Sequence, residues 1–399
     1  MSRDVDCVIP IGGKTALPRG LYFWGQILRS PLEPRAPAPF SNFNDNTVFV
    51  PASNYTSWRT IYARTLQLAD KSLIISWEDY DPVPGPQQYF PIYKSDDGGA
   101  TWYNFTRVYD QVNGWGLRYQ PYFYTLEQKL GAYPAGTILL SGVSTPSDLS
   151  QAYIELYAST DNAKTWKFVS HIAYGAGPET VTNGDKAVWE PFFYFYNGQL
   201  ICYYSDQRDP AHAQKLVTVT TKDLKTWTSP VNAVAQPDYG DRPGMATVAY
   251  IKSTGKYIMT FEYCGGPSAS GCPAYYKVAS SPLGFGSVDP QPIISNDSSK
   301  LIPNGSPYVV WTPKPGATDG SGIIIMNGNS REEVFVNDDS AGVNGWRAVN
   351  VGQWSAYSRS LRIISSGGKN MLLLANGGNM GCNPCTNNFV AVGVVDIPS

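Results

Sequence analysis

Two histidines, six cysteines and a formal charge of −2 are all that this 399-residue chain offers to metal, disulfide and electrostatic chemistry. The 30 basic and 32 acidic residues nearly cancel, with no basic run and no acidic tail. Long-range electrostatics therefore favours neither nucleic acid nor an anionic membrane as a partner. A run of about 18 apolar residues is also missing, so no membrane-spanning helix is expected. Helical periodicity is absent over any comparable length, and 31 Pro with 38 Gly interrupt the chain too often for long helices. His171 and His212 are both remote from the Cys382-Asn-Pro-Cys385 stretch, and no second cysteine pair stands at zinc-finger spacing, so a metal is not expected. Cys264/Cys272 and Cys382/Cys385 are instead close enough to close short disulfide loops in an oxidising compartment.

Aromatic residues are what the chain has in quantity: 27 Tyr and 11 Trp, with charged residues only 16% of the total. That inventory suits a neutral, ring-bearing partner such as a sugar, although all-β cores draw on the same residues. The opening "MSRDVDCVIP" has no basic-then-apolar leader. Four N-x-S/T triplets begin at Asn54, Asn104, Asn296 and Asn304, the last followed by Pro. Together these fit a soluble, secreted protein in its mature form.

The stretches "SDDGGATW" from Ser95 and "STDNAKTW" from Ser159 say nearly the same thing twice. With Thr221 ("TKDLKTW"), Ser280 ("SSPLGF") and Asn337 ("NDDSAGVNGW") they form five anchors at spacings of 64, 62, 59 and 57. Upstream lies a second repeated unit, an apolar run, a Gly, Asn or Asp turn and another apolar run. It recurs six times, for instance as "WEPFFYFYNGQLICYYSD" and "RPGMATVAYIKSTGKYIMTFEY". β-Branched and aromatic runs around Asn-Gly or Gly-Gly turns read as hairpins. A period near 60 with about four strands per unit predicts an all-β fold, a six-bladed β-propeller with Asp-box turns. Domain organisation follows: an N-terminal segment over 1–45 packing on the propeller, and one propeller over 46–399. The last unit runs short of strands, so its outer strand is expected from the N-terminal region, for example "NTVFVP" at 46–51.

"SDDGGATW" matches S-x-D-x-G-x-T-W at every defined position. The Asp accepts backbone N–H groups, the Gly allows positive φ and the Trp packs the turn onto the blade. A residue repeated in this way serves architecture rather than catalysis. The chemistry is then sought among polar residues that do not repeat. In an antiparallel hairpin the start of the first strand and the end of the second lie together, away from the turn. Glu190 and Glu262 both fall there, in neighbouring blades. Arg64, Arg242 and Tyr357 stand at first-strand starts, Glu78, Asp79 and Asp206 at second-strand ends, and Arg208 just beyond. Two carboxylates converging on one bond suit glycoside hydrolysis. Each also has a plain structural reading: an ion pair for Glu190, a solvated strand end for Glu262.

The segments "WEPFFYFYNGQL…DQR", "RPGM…GKYIMTFEY" and "WSAYSRSL", with the Asp boxes, resemble the fungal exo-arabinanases of glycoside hydrolase family 93, propellers of the sialidase superfamily. The resemblance runs from about residue 20 to the end. It implies a retaining exo-enzyme, without a cofactor, that releases arabinobiose from the non-reducing end of linear α-1,5-L-arabinan. The family glutamates match Glu190 and Glu262. The superfamily's Glu in an "E-P…G-x-L" context and Tyr in an "A-Y-S" context match Glu190 and Tyr357. The resemblance thus implies Glu190 as nucleophile, Tyr357 as its hydrogen-bond partner and Glu262 as acid/base, with the reverse assignment of the glutamates open. Arg208 and Arg242 become hydroxyl ligands or charge partners of Glu190, Arg64 a further substrate contact, and Trp189 either a sugar-stacking wall or a core aromatic. The expected partner is arabinan or an arabino-oligosaccharide, and a closed propeller needs no second copy, so a monomer is expected. A sialidase would need three convergent arginines, nominated from Arg64, Arg208, Arg242 and Arg331. A non-catalytic carbohydrate-binding propeller would repeat its polar residues, whereas Glu190, Glu262 and Tyr357 are each unique among the six units.

Overall fold

In the computed structural model, residues 38–177, 186–338, 345–381 and 385–398 are described. Among the described residues, twenty-four strands form six four-stranded antiparallel sheets. The first strands are Thr60–Gln67, Leu117–Thr125, Val188–Tyr196, Arg242–Ile251, Tyr308–Pro313 and Ser360–Ser366. Each packs on the first strand of the next sheet, and the sixth packs back on the first, which closes a ring of six blades. All six inner hairpins expected from the sequence are present.

Burial explains the composition of the strands. The second strands Leu73–Asp79, Ile138–Ser144 and Gly322–Asn327 are buried at every residue, because neighbouring blades cover both faces. Outer strands such as Tyr103–Tyr109 keep an exposed face. Trp77 and Trp346 are fully buried between layers, and cutting either to alanine should cost about 3–5 kcal/mol.

The turns follow their residues. Asn197 and Gly198 take φ 47° and 73° between the paired Tyr196 and Gln199, the two-residue geometry that matches strand twist. Gly367 and Gly368 do the same at 56° and 81°. After the third strand of the first blade, Ser95 Oγ donates to Asp97 Oδ1 at 2.8 Å, and Asp97 accepts Thr101 N at 2.8 Å and Thr101 Oγ1 at 2.6 Å. Trp102 Nε1 donates to the Gly99 carbonyl at 2.9 Å. Asp161 repeats this with Ser159, Thr165 and Trp166. The third copy is one residue shorter, and there Trp227 Nε1 donates to Ser170 Oγ instead.

Phe43–Phe49 pairs antiparallel with Val390–Asp396 and is the outermost strand of the sixth blade, so the N-terminal region closes the ring as the strand count required. The strand begins ahead of the 46–51 segment suggested by sequence. The N-terminal segment expected over 1–45 lies, up to residue 37, outside the described residues. Cys264 and Cys272 form a disulfide. Cys385 is also disulfide-bonded, and Cys382, its expected partner, lies outside the described residues.

Candidate active site

At the end of the blades away from the Asp turns, the first strands break their ladder at one recurring place. Pairing is irregular between Ile61 and Arg64, Tyr119 and Tyr122, Trp189 and Phe192, and Gly244 and Thr247. The residue inside each bulge has left-handed φ: Tyr62 58°, Gln120 53°, Glu190 64° and Met245 57°. Ser306, just before the fifth first strand, joins them at 44°. Such conformations cost about 1–3 kcal/mol each in non-glycine residues and persist where the surroundings hold them.

What holds them is one set of hydrogen bonds. Each of four such residues turns its N–H toward the preceding blade: Tyr62 to the Tyr357 carbonyl at 2.9 Å, Gln120 to Glu78 Oε1 at 3.1 Å, Met245 to Glu190 Oε2 at 2.9 Å and Ser306 to Glu262 Oε2 at 2.8 Å. Three carboxylates, Glu78 and Glu190 buried and Glu262 half-buried, are thereby fixed by neighbouring backbone. The same bulge carries Glu190 off the ladder.

Glu190 and Glu262 meet across Gly244, which pairs with Glu262 in the hairpin of the fourth blade. A Cβ placed on Gly244 would stand 3.3 Å from Glu262 Oε1 and 3.4 Å from Glu190 Oε2, so those two oxygens are within about 7 Å of one another. Glycine is what lets the two acids approach. Ser205 Oγ also donates to Glu190 Oε2, at 2.6 Å. Burial drives the Glu190 carboxyl up from its ordinary range and the charge of Glu262 drives it further, against the pull of Ser205, Met245 and Arg242. Glu262 is likewise raised by burial and pulled back by Ser306 and Arg242. One guanidinium, that of Arg242, therefore acts on both acids.

The other residues singled out by sequence divide into two groups. Arg242 is beside the pair, anchored by Nη2 to Gln214 Oε1 at 3.1 Å. Trp189 Nε1 donates to the same oxygen at 3.2 Å. Trp189 is buried within the main core cluster, so its ring braces Gln214 rather than standing open as a wall. Arg64 stacks over the Tyr62 ring at 3.8 Å and donates to the Ala63 and Ser358 carbonyls at 3.0 Å. It lines a small cavity with Tyr62, Tyr122, Glu190 and Thr247.

Arg208 departs from expectation. Its guanidinium is paired with Asp206 at 2.7 Å and donates to Tyr204 Oη at 2.7 Å and the Tyr174 carbonyl at 3.1 Å, so the charge proposed for Glu190 is spent within its own blade. Arg208 is one of the four arginines nominated for a sialidase, and its guanidinium is committed to Asp206. Tyr357 is near all three glutamates, whose charges add to burial in raising its pKa. Among the described residues, however, the donors to Glu190 are Ser205 and Met245, and Tyr357 is not one of them. Sequence reasoning missed Ser205, Gln214, Gly244 and the bulge amides. Gly244 carried the only visible signal, a glycine opposite a strand-end glutamate. The cluster of Glu262, Cys264 and Cys272 is no metal site, since the two cysteines are spent on each other.

Two carboxyls, Glu190 buried and Glu262 half-buried, thus face each other across Gly244, an arrangement that suits general acid/base chemistry on a glycosidic bond. Among solved structures the chain is similar to the α-L-arabinofuranosidase of Fusarium graminearum, solved with arabinobiose and with an iminosugar inhibitor, at 42% identity and TM-score 0.84, covering 89% of this chain and 98% of that one. It is similar also to an α-L-arabinanase of Penicillium chrysogenum solved with arabinobiose, at 41% identity and TM-score 0.83 over the same shares. The chain belongs to glycoside hydrolase family 93, the family of the Fusarium enzyme. A Dyadobacter fermentans protein of unknown function, 14% identical at TM-score 0.56 over 90% of this chain and 99% of that one, shares the fold alone. No family profile and no curated protein sequence matches the chain.

Proposed function

We propose that this protein is a secreted, monomeric exo-α-1,5-L-arabinanase that releases arabinobiose from the non-reducing end of linear arabinan with retention of configuration. The observation that carries this reading is the meeting of Glu190 and Glu262 across Gly244 in a chain so similar to enzymes solved with arabinobiose. An oxygen separation of at most about 7 Å admits the short spacing of retaining enzymes, about 5–5.5 Å. The disulfide fits secretion.

Glu190 is assigned as nucleophile. Two donors converge on its Oε2, and both favour the ionised form. Glu262, with one backbone donor, is assigned as acid/base. In the first step a Glu190 oxygen bonds to the anomeric carbon while Glu262 passes its proton to the departing glycosidic oxygen. In the second, Glu262 takes a proton from water, whose oxygen displaces Glu190 from the same carbon. Tyr357 stands beside the pair and helps hold the ring at the reacting centre. Activity requires Glu190 ionised and Glu262 protonated, and burial raises both. The pH–rate profile should therefore be a bell with both limbs moved upward from the ordinary carboxylate range.

The deciding experiment is the product profile from linear α-1,5-arabinan for the wild type, Glu190→Ala and Glu262→Ala. Arabinobiose from the wild type, about 10³-fold or greater losses in both variants, and azide rescue to an inverted glycosyl azide in Glu190→Ala alone are expected. Rescue of Glu262→Ala to that inverted product would reverse the two roles, and a wild type that releases nothing from arabinan would end the assignment.

A further inference from the structure

The mouth holds a third carboxylate, itself buried, that the two-acid chemistry does not use. Glu78 pairs with Ile61, the residue before the bulge of the first blade, as Glu262 pairs with Gly244, the residue before the bulge of the fourth. The two glutamates thus occupy one register position in opposite blades of a six-membered ring. The equivalent positions of the second and third blades hold Val143 and Ser205. Each glutamate is oriented by the same device, the N–H of a left-handed residue in the following blade: Gln120 for Glu78 and Ser306 for Glu262. Tyr357, lying among them, senses the charges of Glu78, Glu190 and Glu262 together.

The surroundings of Glu78 differ in a way that points to a ligand. Tyr80 Oη donates to Glu78 Oε2 at 2.9 Å. The half-buried rings of Trp58, Tyr80 and Tyr357 pack on Ile61, Tyr62 and Met245 beside it. Aromatic faces next to a fixed acceptor are the complement of a sugar, with C–H groups for the rings and hydroxyls for the oxygens. Arg64, the cation whose charge reaches Glu78, is committed to the Ala63 and Ser358 carbonyls. Among the described residues Glu78 has no ion-pair partner, and its donors are one amide and the Tyr80 hydroxyl; buried acids held in this way concentrate at working sites.

We propose that Glu78 accepts hydroxyl groups of the non-reducing-terminal sugar and so sets the affinity of the site for a disaccharide unit. The proposal rests on the arabinanase reading above. Gln120 and Tyr80 each occupy one lone pair of the Glu78 oxygens, and the sugar hydroxyls would take those that remain, so a substrate lacking them forgoes these charge-assisted bonds and binds more weakly.

Glu262→Gln, inactive but with the mouth intact, serves as the parent for calorimetric titration with arabinobiose, against the same parent carrying Glu78→Gln. Steady-state kinetics of Glu78→Gln alone on linear arabinan completes the test. Affinity should fall about 10- to 100-fold, with KM rising by a comparable factor and kcat moving less, while the melting temperature stays near that of the parent. Should Glu78→Gln fold poorly, Glu78→Asp keeps the charge and withdraws it by one methylene, and the same loss is expected. A folded variant that binds arabinobiose as the parent does, with KM unchanged, overturns the proposal and leaves Glu78 as a cap for Gln120. A parent that binds no arabinobiose overturns the arabinanase reading, and the Glu78 proposal with it.

Discussion

The two ends of the blades carry carboxylates in opposite electrostatic states. At the turn end, burial is the largest single influence on Asp97 and on Asp161, yet the combined donors of Thr101 and Ser95, or of Thr165 and Ser159, outweigh it and hold both below the usual range. Asp223, with the Thr226 and Lys225 amides first, is held at about 2. At the mouth, burial wins: Glu78 and Asp79 are each raised to about 7, and Glu190 and Glu262 are raised too. The acids at one end are surrounded by donors of their own loop. At the other end Asp79 still finds Trp77 Nε1 in its own strand, whereas Glu78, Glu190 and Glu262 each also take a backbone N–H from the following blade. Local donors hold the turn aspartates ionised, and donors drawn across blades leave the glutamates raised by burial.

Substitutions can break this contrast in order of size. Glu190→Ala and Glu262→Ala should lose about 10³-fold or more in kcat, with a smaller loss of stability because the Met245 and Ser306 amides lose their acceptors. Gly244→Ala should follow with about 10²-fold, because its methyl would stand 2.8 Å from Gln214 Nε2 and press on both acids. Melting temperatures beside kcat for this variant separate loss of geometry from loss of fold. Asp161→Ala should do the reverse, leaving kcat alone and lowering stability in denaturant titration by about 1–2 kcal/mol, as its three hydrogen bonds in a half-exposed turn suggest.

The smallest effect is in pH. Asp79 has a folded pKa above its unfolded value, so its stabilising contribution is complete below about pH 4 and is lost as pH rises toward about 7. The turn aspartates, whose folded values are depressed, contribute above about pH 4 and lose it in stronger acid. Stability measured by denaturant should therefore fall from pH 5 to pH 8. Asp79→Asn should flatten that fall by on the order of 1 kcal/mol. A curve unchanged by the substitution would show that the mouth acids share their protons differently.

The legible parts of the sequence were those where one short segment does the whole job. Asn197-Gly198 needs only its own backbone freedom, and Asp97 finds its donors within four residues, so both turns and hence the blades follow from local pattern. The glutamates were legible as places at the mouth, because hairpin pairing puts the two strand ends together. Their environment was not. The left-handed conformation of Glu190 is sustained by its surroundings, and its donors Ser205 and Met245 come from a partner strand and from the next blade. Arg208 illustrates the converse: its partner Asp206 is two residues away, so the ion pair was within reach of sequence reasoning that looked across the mouth instead.

Phe43 pairs with Val394, so the outermost strand of the sixth blade waits for a partner made after all the other blades. Glu78, Glu190, Glu262 and Tyr357 are contributed by the first, third, fourth and sixth blades, and the Tyr62 amide meets the Tyr357 carbonyl across the seam that this strand closes. A ribosome-bound chain therefore holds the parts of a catalyst without being one. Pairing of such distant segments is slow, and it comes after the individual hairpins have formed. Hydrolytic capacity then arrives in a single event, when Val390–Asp396 meets Phe43–Phe49 and the wheel locks.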